Sequence, residues 1–199
     1  GQPTVDVDQL RDEVEKKYRE VAENPTDDHH FHTGAKALDH LGYPKELTRG
    51  LPEAAVDAFS GVACVFHWGT PEPGERVVDV GSGAGTDCLV AGRAVGSDGA
   101  VVGVDMNDSM LARARRAAGD AGLGHVDYRR GLAEDLPVED GWADRVISNG
   151  VLNLVPDKSA AYREIFRVLR PGGALQASDI CVRKPVPDGA KSDIDLWTA

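Results

Sequence analysis

Cysteine is scarce in this chain, basic residues are outnumbered, and no long apolar run occurs. The three cysteines, Cys64, Cys88 and Cys181, are odd in number and far apart. That excludes a disulfide framework or a C-x-x-C metal knuckle, and it makes a reducing, cytoplasmic compartment the expectation. Lys and Arg total 22 against 33 Asp and Glu, a formal net charge of −11. A nucleic-acid backbone needs a basic face, so no nucleic acid is expected as a partner and a small-molecule substrate fits better. The local basic patch Arg113, Arg115 and Arg116 reads as a solvated helix face. No apolar stretch approaches the length of a membrane span and no signal-peptide pattern opens the chain, so no membrane partner is expected either. The 199 residues, 41% hydrophobic and 28% charged, suffice for one α/β domain with a sizeable core.

The organising stretch is Arg76-Val77-Val78-Asp79-Val80-Gly81-Ser82-Gly83-Ala84-Gly85-Thr86. It reads as a buried parallel strand, a glycine-rich turn and the start of a helix. Roughly twenty residues past the last glycine, Val101-Val102-Gly103-Val104-Asp105 is a second apolar strand ending in a carboxylate. That pairing marks a nucleotide-type cofactor site on a doubly wound sheet. A dinucleotide fingerprint wants G-x-G-x-x-G, but here the third glycine comes one residue early and Thr86 takes its place. Asp79, two residues before the first glycine, would repel a pyrophosphate and attract a ligand carrying an ammonium and a sulfonium. No Lys follows the glycines, which excludes a P-loop. A nicotinamide or flavin site, or a purely structural turn, stays open at this point.

From there the chain alternates strand and helix, the pattern of a parallel sheet. Strands are expected at 76–80, 101–105, 126–128, 143–148 and 174–180, with helices at 85–95, 108–119 and 160–169. The turn Arg170-Pro171-Gly172-Gly173 is expected to end the last of these helices. Residues 1–70 read as a helical extension and lid. Leu10, Val14, Tyr18 and Val21 share one face of a first helix. Shorter helical pieces are expected at 35–41, 46–51 and 52–60, and Gly61 to Trp68 either walls the substrate pocket or packs as ordinary core against the sheet. Asp27-Asp28-His29-His30-Phe31-His32-Thr33-Gly34 has metal-ligand chemistry. Adjacent residues rarely converge on one centre, however, so the stretch reads as a lid with no metal. His30, His32 and Tyr18 are candidates to touch substrate. A last helical piece is expected at 189–198.

D-x-G-x-G-x-G at Asp79 to Gly85 resembles the class I S-adenosylmethionine (SAM) methyltransferases. From about Leu41 to Trp197 the chain resembles their arsenite methyltransferase branch. The matching segments are Leu41-Gly42-Tyr43, Pro73-Gly74-Glu75, Asp79 to Cys88 (DVGSGAGTDC), Gly103 to Met110 (GVDMNDSM), Ile147 to Leu154 (ISNGVLNL), Pro156-Asp157-Lys158 and Phe166 to Gly173 (FRVLRPGG). The resemblance implies a Rossmann-like α/β fold spanning residues 71–199, with SAM as cofactor. Asp79, Gly81, Ser82, Gly83 and Gly85 would surround its methionine end and Asp105 its ribose hydroxyls. Met106 would lie on the adenine face, the Leu132-Ala133-Glu134 turn at the adenine edge, and Asn149 beside the methionine part.

The resemblance breaks at the metalloid ligands. The branch has cysteines where this chain has Gly150, just before the first strand at a position from which Cys64 is displaced by about two residues, and just beyond the Asp195-Leu196-Trp197 segment. Capture of arsenic by three thiolates therefore does not carry over. Seven strands are usual in that fold and five are readable here. A cloned fragment, proteolysis, a homodimer covering the open sheet edge, or a UGA codon standing for selenocysteine would each account for that. The expected activity is methyl transfer from SAM to a small molecule, a thiol, selenol or metalloid among the candidates, with no catalytic residue identified. The alternative is a SAM-binding protein that is inactive or depends on a partner. A nicotinamide oxidoreductase is disfavoured by Asp79 and Thr86.

Overall fold

The computed structural model describes residues 6–25, 27 and 33–181. Among the described residues, four helices precede the sheet: α1 (Val7–Glu23), α2 (Gly34–His40), α3 (Lys45–Thr48) and α4 (Glu53–Val56), followed by a 3-10 turn at Val65–Trp68. Then come β1 (Arg76–Val80), α5 (Thr86–Val95), β2 (Ala100–Asp105), α6 (Asp108–Asp120), β3 (Val126–Arg130), β4 (Ala143–Asn149), α7 (Lys158–Val168) and β5 (Leu169–Ser178). The five strands form one sheet in the order β3-β2-β1-β4-β5, and every pairing is parallel.

Alternation along β1 explains why it sits at the centre. Val77 packs with Leu89, Ala91 and Ala114 on the face covered by α5 and α6. Val78 and Val80 pack with Val146, Ile165 and Val168 on the face covered by α7. Successive side chains point to opposite faces, so a nearly unbroken apolar run is what a strand covered on both sides requires. Each such valine contributes about 1.5–3 kcal/mol on burial. The doubly wound α/β expectation holds. Ala37, Leu38, Tyr43, Leu51, Phe59 and Phe66 join the same core as Val77 and Leu89. The N-terminal segment and the sheet thus share one apolar cluster.

Two details differ from the sequence reading. β5 begins at Leu169, not at 174. Between the pairs Ala143↔Leu169 and Arg145↔Ala174 the ladder slips, so the expected turn Arg170-Pro171-Gly172-Gly173 is a bulge within the strand. The helix expected at 52–60 ends at Val56, because the chain turns to bury Ala58 and Phe59, and the Phe59 carbonyl accepts from Gly34 N–H at 2.9 Å. Of the 61–68 stretch, Val65 and Phe66 are core and Trp68 is 70% exposed. His29, His30 and His32 of the expected lid, and the helical piece at 189–198, lie outside the described residues.

The chain moves outward from β1 through β2 to β3, then crosses back to lay β4 and β5 on the other side of β1. The reversal falls between β1 and β4, and ligands in open α/β sheets bind outside the carboxyl ends of the strands at such a point.

Candidate functional site

At the carboxyl end of β1 the chain turns through Gly81 and Gly83, with φ of +75° and +51°. The Gly81 and Ser82 N–H groups donate to the Val104 carbonyl at 2.8 and 3.0 Å. Gly83 N–H donates to Asp105 Oδ2 at 2.8 Å, and Asn107 N–H to Oδ1 at 2.9 Å. The glycine turn is thereby lashed to the end of β2. The two glycines are needed for different reasons. A Cβ on Gly81 would lie 2.3 Å from the Val151 side chain, whereas nothing lies within 4 Å of one on Gly83, so its backbone is open to a ligand.

These ends frame a cleft of about 1110 Å³ including its open mouth. It is lined by Asp79, Gly81, Ser82, Gly83, Asp105, Met106, Leu132, Ala133, Glu134 and Asn149, every expected cofactor contact except Gly85. Gly85 lies at the N-terminus of α5, where a Cβ would meet the Tyr128 hydroxyl at 2.3 Å. Helix α1 roofs the cleft with Arg11, Val14, Glu15 and Tyr18. Asp6 caps it, accepting from the N–H groups of Asp8 and Gln9. Asn107 Nδ2 also donates to the Glu15 carbonyl at 2.9 Å. Burial, reinforced by Asp105 and Asp179, pushes the Tyr18 phenol up to about 12. Phe59, Ser60 and Gly61 complete a wall near Gly150 and Val151.

Two expected contacts are engaged elsewhere. Asn149 spends its side chain on the protein: Nδ2 donates to Tyr43 Oη, Ala63 O and Asp87 Oδ2 at 3.0, 2.9 and 3.0 Å, and Oδ1 accepts from Val62 N–H at 2.9 Å. Glu134 Oε1 pairs with Arg11 of α1 at 3.2 Å. Beneath the turn, Asp79 accepts from the Cys88 thiol at 3.1 Å, and Asp87 accepts from Tyr43 Oη at 2.7 Å. Burial drives the Asp79 carboxyl well above the usual range, and the Asp87 charge adds to this. Burial likewise pushes Asp87 up to about 6 against hydrogen bonds from Asn149 and Tyr43. Asp105 is raised by burial and partly restrained by the N–H groups of Asn107, Gly83 and Met106. Sequence reasoning missed Asp87, Tyr43 and Arg11 as parts of this site. The first two stand inside the motif segments DVGSGAGTDC and Leu41-Gly42-Tyr43, so their positions were the available signal.

The family model of the methyltransferase domain matches residues 71–198. The chain belongs to this methyltransferase family. It is 39% identical over 166 residues to an arsenite methyltransferase of Halobacterium salinarum, covering 83% of this chain and 42% of the relative. Identity to the Mus musculus arsenite methyltransferase is 31% over 208 residues, covering 96% and 53%. A ubiquinone/menaquinone biosynthesis C-methyltransferase of Vibrio vulnificus is 39% identical over 127 residues, covering 63% and 48%. Among solved structures, the arsenic(III) SAM methyltransferase CrArsM of Chlamydomonas reinhardtii superposes with a TM-score of 0.66 at 34% identity, over 73% of this chain and 51% of that one. The chain spans about half, or less, of the length of these relatives.

SAM is the cofactor that goes with this class I methyltransferase fold, and the cleft suits it on two structural grounds. Ser82 keeps a buried hydroxyl with no hydrogen-bond partner in the turn, and the open space at Gly83 leaves backbone within reach of a bound molecule. In the methyltransferase domain no cysteine lines the cleft among the described residues. Cys64 and Cys88 are buried and Cys181 is exposed. At Gly150, where φ is +73°, a Cβ would stand 3.0 Å from Val62 Cγ1, so two small apolar residues meet there.

Proposed function

We propose that this domain binds SAM across the carboxyl ends of β2, β1 and β4 and transfers its methyl group to a small-molecule acceptor. The observation that carries the reading is one cleft in which the glycine turn, Asp79, Asp105, Met106 and the Leu132–Glu134 turn meet. In this pose Asp105 accepts the ribose hydroxyls, which suits a carboxylate at the end of the second strand. The thioether of Met106 packs on the adenine ring. Asp79 faces the aminoacyl end. Asn149 acts through its hydrogen bonds, holding Val62 and Ala63 beside the cleft.

Bound SAM supplies a methyl group already activated on a sulfonium. The chain's task is to align the acceptor, which enters beside Phe59, Ser60, Gly150 and Val151, with reacting atoms about 3–3.5 Å apart. A soft nucleophile needs no general base, and we read the acceptor as a thiol, selenol or metalloid on the strength of the arsenite methyltransferase relatives. Small phenols join them as candidates to be tested, since another relative is named a ubiquinone/menaquinone biosynthesis C-methyltransferase. Calorimetry with SAM, S-adenosylhomocysteine and NAD tests the cofactor assignment: NAD binding without SAM binding overturns it. Turnover of SAM with arsenite, thiols, selenols and phenols then ranks acceptors. Tight SAM binding with no turnover across the panel would favour a protein that binds SAM without catalysis.

A further inference from the structure

Asp87 is a buried carboxylate to which neither motif nor family assigns a task. It stands in the first turn of α5, is 6% exposed, and lines the cleft next to Asp79. Tyr43 Oη and Asn149 Nδ2 donate to it at 2.7 and 3.0 Å, and the Cys88 thiol donates to Asp79 at 3.1 Å. All three donors are neutral. Among the described residues, the ion pairs include neither carboxylate. Two carboxylates held out of water and served only by neutral donors are disfavoured in their ionised forms, and a cation seated beside them would favour ionisation again. Ser82, 8% exposed and lining the same cleft, has a buried hydroxyl without a partner, a second polar group there whose hydrogen-bonding capacity the protein itself does not use.

We propose that Asp87 is a cofactor-binding residue that, together with Asp79, receives the ammonium group of the aminoacyl end of SAM, while Tyr43 and Asn149 fix its orientation. The assignment rests on the reading of the cleft as a SAM site. It gives Tyr43 a meaning as well: the side chain reaches from the segment after α2 into the floor, so that segment positions a cofactor ligand. A purely structural Asp87, tying α5 to Tyr43, would support every cleft ligand equally. A ligand-binding Asp87 would discriminate by the ammonium.

S-adenosylhomocysteine and 5′-methylthioadenosine make that distinction, since both carry adenosine and a thioether sulfur and only the first carries the ammonium. Calorimetry on the full chain should show Asp87→Asn weakening S-adenosylhomocysteine by ~10-fold or more, as expected for a lost hydrogen bond to a charged group. Methylthioadenosine binding should stay within about twofold. Tyr43→Phe, which removes a donor without altering the carboxylate, should give a smaller loss with the same selectivity. Equal weakening of both ligands, or no weakening of S-adenosylhomocysteine, overturns the proposal. If Asp87→Asn does not fold, as judged by circular dichroism, the selectivity of Tyr43→Phe decides on the same terms. A wild-type chain that binds neither ligand nor SAM refutes the cofactor reading itself, a result distinct from loss of selectivity in the variants.

Discussion

Gly81 and Gly83 stand two residues apart in one turn, yet a methyl group on each should do different damage. On Gly81 it would strike the Val151 side chain at 2.3 Å, while on Gly83 it would meet open space. Gly81→Ala should therefore cost about 1–3 kcal/mol of stability from overpacking, in addition to the strain of its positive φ. Gly83→Ala should cost about 1–2 kcal/mol, the left-handed penalty alone, and should lose SAM affinity because the new carbon enters the cleft. Urea denaturation beside calorimetry checks the pair, and equal effects of both variants on stability and binding would refute the distinction. The turn is legible in the sequence because strand, glycine spacing and a carboxylate one strand later form a linear pattern. Asp87 is not legible that way, since no spacing rule tells which face of α5 looks into a cleft. Its ionisation makes a further prediction. The Asp87 carboxyl sits at about 6 in the fold against 3.8 for an ordinary aspartate, chiefly through burial. Asp79 beside it, the Cys88 thiol and the Tyr43 phenol are all raised as well, burial leading in each case. Between those two pH values the folded chain holds a proton that the unfolded chain has released, so this group stabilises the empty fold as pH falls through about 6. A cationic ligand prefers the ionised form, so SAM affinity should move the opposite way. It should drop ~10-fold from neutral pH to one unit below the Asp87 midpoint. Calorimetry across that range would contradict the assignment if affinity were flat.

Helix α1 shows what periodicity reveals about an element and what it withholds. Its face of Leu10, Val14, Tyr18 and Val21 is readable from spacing alone, because apolar residues at helical intervals must be covered by something. What covers them is a tertiary fact. Leu10 and Val14 cluster with Tyr18, Met106 and Leu154, so the helix lies over the end of β2 and the loop after β4. Arg11 adds an ion pair to Glu134 across the cleft, with the arginine side chain 34% exposed. Desolvation of these two partly buried charges offsets much of their attraction, so the apolar contact decides the docking. Leu10→Ala should cost about 2–5 kcal/mol and should weaken SAM as well, because Met106 loses part of its support. A variant as stable as the wild type, with unchanged affinity, would show that α1 does not seat on the cleft in solution. The bulge at Arg170–Gly173 was hidden for a related reason. Proline and two glycines announce a break in regular structure, but only the partner strand shows that the ladder resumes beyond it.

At the scale of the whole molecule, the regular alternation of strand and helix makes a parallel doubly wound sheet readable from the sequence. Placing β4 next to β1 takes the pairing itself, and with it the position of the cleft. The same three-dimensional view settles what the scattered cysteines can do. Cys64 is 3% exposed, and burial raises its thiol; Cys88 is fully buried, and burial together with the Asp79 charge pushes its thiol well up. A thiol is reactive, and a metal ligand, only as the thiolate. Neither buried cysteine is therefore poised to capture a soft acceptor at neutral pH, and Cys181 is exposed and away from the cleft lining. Brief treatment of the native chain with iodoacetamide near neutral pH should add a single label, on Cys181, whereas the chain unfolded in guanidinium should take up one on each of its three cysteines. The singly labelled protein should bind SAM as before. Rapid labelling of Cys64 or Cys88 in the native state, blocked by SAM, would instead place a thiol within reach of the cleft. In that event a metalloid held by sulfur from this chain would become the better reading of the acceptor.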